Sequence, residues 1–132
     1  MSRQSRASTP RPTAYISGPI TRGDRADHVR RATQVFGWLV KLGYAPLCPQ
    51  WSIHAEDLHG VKLPHATWME IDLAWLVYAD LVIRLEGESV GADAETREAN
   101  ELGLPVIYLE RTAGAKRLAE LIEALETPEA AA

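Results

Sequence analysis

Leu81-Val82-Ile83-Arg84-Leu85-Glu86-Gly87-Glu88-Ser89-Val90-Gly91-Ala92-Asp93-Ala94-Glu95 runs from a short apolar stretch through a Gly/Ser turn into a helical pattern. Leu81 to Leu85 reads as a strand, and Asp93 to Leu102 reads as a helix stopped by Gly103. Ligands bind at strand-to-helix turns of this kind in sheets flanked by helices. Glu95, just inside the predicted helix, is therefore a candidate nucleophile toward an electrophilic carbon, held ionised by the free N–H groups of the first turn. The plainer alternative is that Asp93 and Glu95 only complement the helix dipole, worth roughly 0.3–1 kcal/mol.

The same alternation extends in both directions. Thr13 to Ser17 is a β-prone run ending at Gly18-Pro19, and Val29, Ala32, Val35, Phe36, Leu39 and Val40 recur at helical spacing between Arg25 and Leu42. Tyr44 to Cys48 reads as a second strand, and Pro49 to Pro64 as a long loop without a period, a length that is often functional. Ala66 to Ala79 is helical and apolar nearly all round, Pro105 to Leu109 is a further strand, and Ala115 to Leu125 closes with an amphipathic helix. Strands alternating with helices imply an α/β, flavodoxin- or Rossmann-like three-layer sandwich with a parallel sheet of four to five strands. The expected order is 2-1-3-4, with any fifth strand after the fourth, which sets the loops Ser17 to Asp24 and Glu86 to Asp93 face to face.

A chain of 132 residues fits one domain. Residues 13–126 are expected to form it, with residues 1–12 a disordered tail and 127–132 a frayed one. Without the three arginines of that first tail, the formal charge of −4 becomes −7, the wrong sign for gripping a nucleic-acid polymer. No apolar run reaches the roughly 20 residues that cross a bilayer, so no membrane association is expected. Cys48 is the single cysteine, which suits a cytoplasmic protein.

Asp72 shares a helix face with Trp68, Trp75 and Leu76. A carboxylate in that setting is costly to bury alone and needs either a partner, such as Arg84 or Arg97, or a chemical purpose. Gly18-Pro19, with Thr21, Arg22, Gly23 and Arg25 after it, would let backbone N–H groups and a guanidinium approach a phosphate or sugar. Neither a Walker loop nor a G-x-G-x-x-G fingerprint is present. His54, His59 and His65 lack zinc-site spacing, so no metal is expected, and they read as solvated loop residues. Trp51 and Trp68 offer a flat wall for a base, although core packing is their commoner use.

Four segments then line up: Tyr15-Ile16-Ser17-Gly18-Pro19-Ile20-Thr21, Asp72-Leu73-Ala74-Trp75-Leu76-Val77-Tyr78-Ala79-Asp80, Ser89-x-Gly91-x-x-x-Glu95, and Ala99-x-x-Leu102-Gly103-x-Pro105-Val106. In order and spacing they resemble the nucleoside 2-deoxyribosyltransferase superfamily, and are similar to its deoxynucleoside 5'-monophosphate N-glycosidases. The resemblance implies that Glu95 attacks the anomeric carbon of a deoxyribosyl group and that Asp72 binds or protonates the leaving base. It also implies that Tyr15, Gly18 and Ile20 line the sugar and base pocket, with Ser17, Pro19 and Arg22 on the same loop, and that Ser89 and Gly91 cradle the 5' end. The expected ligand is a small nucleoside or nucleotide, with no cofactor, in a homo-oligomer of two or more subunits. The alternatives are a non-catalytic nucleotide sensor on the same scaffold and a flavin-binding flavodoxin-like domain.

Overall fold

Successive strand residues point to opposite sides of a sheet, and in β1 (Thr13–Ser17) and β3 (Leu81–Leu85) almost every residue is buried whichever way it points. Both faces must therefore be covered. The computed structural model describes residues 10–126 and shows how. In chain order, β1 leads through α1 (Arg25–Lys41) to β2 (Ala45–Leu47), a single 3-10 turn at Pro49–Trp51, α2 (Ser52–His59) and α3 (His65–Leu76). From there β3, α4 (Val90–Glu101), β4 (Val106–Leu109) and α5 (Ala115–Glu126) complete the domain. The strands form one parallel sheet in the order β2-β1-β3-β4, as expected, and no fifth strand occurs among the described residues.

Alternation splits the core in two. Ala14, Ile16, Ile83, Leu85, Ile107 and Leu109 pack against Ala32, Val35 and Leu39 of α1 and Leu118 and Ile122 of α5. On the opposite face, Tyr15 and Val82 meet Leu76 of α3 and Ala99 of α4. Register pairs Tyr15 with Val82 and Ser17 with Arg84, so these polar residues at the strand ends come under α3 and α4. The period-two rule thus selects the side of the sheet on which polar chemistry can be built.

Several ends shift by one to three residues, as where β2 is Ala45–Leu47 rather than Tyr44 to Cys48 and α3 stops at Leu76 rather than Ala79, and three further differences matter more. Residues 52–59, expected as loop, form α2; with Ile53 its only buried residue and no side-chain cap, it leaves almost no periodic signature in the sequence. Helix α4 starts at Val90 because Ser89 is its N-cap, the Ser89 Oγ accepting from the Ala92 N–H at 3.0 Å. Arg11 and Pro12, expected in the tail, are tied to the domain. The Arg11 guanidinium donates to the carbonyls of Val40 and Tyr44, both at 2.9 Å, and the Pro12 carbonyl accepts from the Ala45 N–H. The rest of the expected tails, residues 1–9 and 127–132, lies outside the described residues.

Two glycines give opposite expectations. Gly87 has φ +138°, and a Cβ there would lie 2.5 Å from Pro19 Cγ. Gly87→Ala is expected to cost roughly 2–4 kcal/mol in urea unfolding, from strain and clash together. Gly37 sits inside α1 with nothing within 4 Å of a Cβ. There the same change is expected to stabilise by about 0.5–1 kcal/mol, through helix propensity.

Candidate active site

Glu95 is the sixth residue of α4, one turn further in than the sequence reading placed it. The free N–H groups of the first turn therefore do not hold it. Its carboxylate lies over the end of β1, where Tyr15 donates its phenolic O–H to Oε2 at 2.6 Å and Ser17 donates its hydroxyl to Oε1 at 2.7 Å. Both oxygens are held from beneath, and Glu95 is only 5% exposed. Burial raises its pKa above the ordinary carboxylate value, and the bonds from Tyr15 and Ser17 and the positive charge of Arg84 offset only part of that rise. Tyr15 keeps its proton, because burial first, and then the charges of Glu95 and Asp72, push its pKa far up.

Arg84 organises the turn beside it. Its guanidinium donates to the carbonyls of Leu85 and Gly87 and pairs with Asp93 at 2.9 Å, closing β3 onto the start of α4. Asp93 thus does more than complement the helix dipole. Neither of the partners expected for Asp72 reaches it, since Arg84 is engaged here and the exposed Arg97 borders a different hollow. Burial, and then the negative charge of Glu95, push the Asp72 carboxyl up to about 7. Of two neighbouring acids, the one holding two donated hydrogen bonds and a nearby guanidinium carries the charge. The other keeps the proton.

Both acids open into one cavity of about 360 Å³ between the β1–α1 loop, α2, α3 and the start of α4. Gly18, Ile20, Arg22, Ser89 and Gly91, five of the residues expected around a ligand, border it. Tyr15 and Ser17 do not; they act from underneath through Glu95. Pro19 also falls outside this lining, turned toward Gly87 and a separate hollow beside Asp27 and His28. Arg22 is tied to Glu88 at 2.7 Å on the exposed rim. Of the expected tryptophan wall only Trp68 is present. Trp51 packs on Phe36 with ring centroids 4.7 Å apart and donates its indole N–H to Thr33. Trp75, expected to flank Asp72, is 60% exposed.

A family model matches residues 12–108, from the strand under Glu95 to the far edge of the sheet; it is described as a domain of unknown function, DUF4406. This chain belongs to the DUF4406 family. The matched segment contains Tyr15, Ser17, Asp72, Ser89 and Glu95, and leaves out α5. No curated protein matches the chain.

The cavity is also lined by residues that the sequence reading did not place in the site. Ser52 and Glu56 reach the cavity because α2 exists and places positions four apart on one face. His65, expected as a solvated loop residue, instead begins α3, and it reaches the cavity with Met69 because Gly91 lets α3 close on α4; a Cβ at Gly91 would lie 3.2 Å from the Met69 sulfur. A Ser-x-x-x-Glu spacing in the loop was the available signal for the first pair. Among the described residues, no group of three or more His, Cys, Asp or Glu is placed to hold a metal ion.

The raised Asp72 pKa has a consequence for stability. The folded chain holds this proton up to about pH 7, whereas the ordinary carboxyl value is 3.8. The folded state therefore binds more protons within that window, and its stability falls as pH rises through it. Asp72→Asn removes this loss. The variant is expected to match the wild type in thermal unfolding near the low end of the window and to exceed it above the high end. A Tm difference that stays constant across the window contradicts the assignment.

Proposed function

We propose that this protein cleaves or exchanges the N-glycosidic bond of a deoxynucleoside or its 5'-monophosphate, as a member of the nucleoside 2-deoxyribosyltransferase superfamily. One observation carries the reading. A buried carboxylate with both oxygens held by Tyr15 and Ser17 faces the same cavity as a second acid that keeps its proton near neutrality. This is the division of labour that a retaining glycosidic cleavage requires.

In the first step a Glu95 oxygen attacks C1' as the C1'–N bond breaks. The bond's electron pair leaves with the base, which takes the Asp72 proton. In the second step water, or the nitrogen of another base, attacks C1' and gives its proton to Asp72, and the ester bond to Glu95 breaks. Tyr15 and Ser17 keep the carboxylate in one orientation through both steps, which is where positioning contributes most. Neither step calls on a metal or an organic cofactor.

The start of α4, at Ser89 and Gly91, suits the 5' end of the sugar through its free N–H groups. Arg22 is neutralised there by Glu88, so a 5'-phosphate has to compete with a carboxylate for it. Homo-oligomer formation is also part of the proposal. It is supported by Ile71 and Trp75 on α3 and Tyr78 in the turn after it, three exposed apolar side chains. Cytoplasmic location completes the reading, supported by a lone buried Cys48 whose thiol burial pushes up to about 11. Among the described residues, no helix is long and apolar enough to cross a membrane.

The depth of Glu95 favours one second reading, a non-catalytic nucleotide-binding module in which the carboxylate only ties α4 to β1. A chromatographic screen separates the two. Deoxynucleosides and their monophosphates are incubated with the protein, with and without a second free base. Release of free base, or a new nucleoside, is the expected result. Nucleotide binding by calorimetry with no base released over hours is the result for the binding module.

A further inference from the structure

The charges around the cavity are unequal. Among the described residues that line it, Arg22 is the only arginine or lysine, against the carboxylates of Glu56, Glu88 and Glu95 and the protonated Asp72. The other basic side chain there, His65, is exposed. Glu56 has its own counter-ion, the Arg25 guanidinium at 3.5 Å. Glu88 directly precedes Ser89, the N-cap of α4, and its carboxylate accepts from the Arg22 guanidinium at 2.7 Å. This pair joins the β1–α1 loop to the β3–α4 loop at the end of the cavity where α4 starts. It occupies the one arginine of the lining, while Glu95 stays charged and unneutralised by any cation within the cavity.

We propose that Glu88 sets the substrate class: it admits a deoxynucleoside with a free 5'-hydroxyl and excludes the 5'-monophosphate. The proposal rests on the glycosidic reading above, which sets the 5' end of the sugar at the start of α4. A hydroxyl satisfies both kinds of group there. It accepts from a free N–H of the first turn of α4 and donates to the Glu88 carboxylate. A phosphate only accepts. It finds the same N–H groups but faces a like charge, and it gains Arg22 only by displacing Glu88 from it. Glu88 then stands without its partner beside the phosphate, because its backbone is fixed next to the Ser89 cap. An unpaired charge set against the rejected ligand is a direct source of specificity.

The test is kcat/KM for base release from deoxyadenosine, deoxyguanosine, deoxycytidine and thymidine, each beside its 5'-monophosphate, with wild type, Glu88→Gln and Arg22→Gln. Both side chains are exposed, and thermal unfolding confirms that each variant is folded. The wild type is expected to favour the nucleoside of each pair by about tenfold or more, and the preference to shrink as added salt screens the charges. Glu88→Gln keeps an acceptor for the hydroxyl, loses the charge and frees Arg22. It is expected to reduce the preference by about tenfold, through a lower KM for the monophosphates. Arg22→Gln removes the arginine and leaves Glu88 charged, and is expected to widen the preference by about threefold. A wild type that favours monophosphates, or a preference that neither variant changes, overturns the proposal while leaving the glycosidic reading standing. If the wild type releases no base from any of these compounds, that reading fails by itself. Calorimetry with the same compounds on the same three proteins then decides the role of Glu88. Tighter binding of nucleosides by the wild type, lost in Glu88→Gln, supports it; equal or tighter binding of monophosphates, or binding of neither, overturns it.

Discussion

Glu95→Gln is expected to lower kcat/KM for base release by about 10⁴ or more while leaving the fold intact, as is typical when a nucleophile is removed. The amide has nearly the same shape, and its oxygen can still accept from Tyr15 or Ser17. It lacks the negative charge that traps C1' as the base departs. Thermal stability should hold or rise, because a buried charge has been removed from beside Asp72. This combination distinguishes chemistry from architecture. If Glu95 only ties α4 to β1, the variant should lose stability and keep whatever turnover the wild type has.

Asp72→Asn is the second large effect, with an expected loss of about 10²–10⁴ in base release from ordinary nucleosides. The loss depends on what leaves. A purine methylated at N7 already carries a positive charge and departs without a proton, so its release should fall by about tenfold at most, because the general-acid contribution of roughly 10²–10⁴ does not apply to it. The pH profile gives a second readout. With Asp72 as the acid, wild-type kcat falls as pH rises past about 7, where the carboxyl loses its proton, and the limb on the acid side reports Glu95. In Asp72→Asn the falling limb near 7 should disappear. An unchanged limb assigns it to another group.

Much of this arrangement could be read from the sequence because the strands carry strong patterns. Leu81 to Leu85 has the bounds expected of it, and the order β2-β1-β3-β4 follows from right-handed connections between alternating strands and helices. Glu95 and Asp72 were also legible as candidates, one from the turn before it and the other from its apolar neighbours. What holds Glu95 was not. The Tyr15 and Ser17 hydroxyls act on it from 80 and 78 positions away, and the pairing depends on the register of β1 against β3, which no local pattern encodes. The N-cap at Ser89 moved Glu95 out of the first helical turn, replacing the expected backbone donors with side chains. Helix α2 was missed for a different reason. Eight residues with a single buried position have too little amphipathic character to stand out from a loop, and with α2 went Ser52 and Glu56.

The central claim is that Glu95 forms a covalent bond to the sugar, and acid-quenched mass spectrometry of the protein during turnover tests it most directly. A deoxyribosyl adduct on the peptide containing Glu95, appearing with substrate and absent in Glu95→Gln, is the expected result. Base release that continues in Glu95→Gln at the wild-type rate, with no adduct on that peptide in either protein, contradicts it.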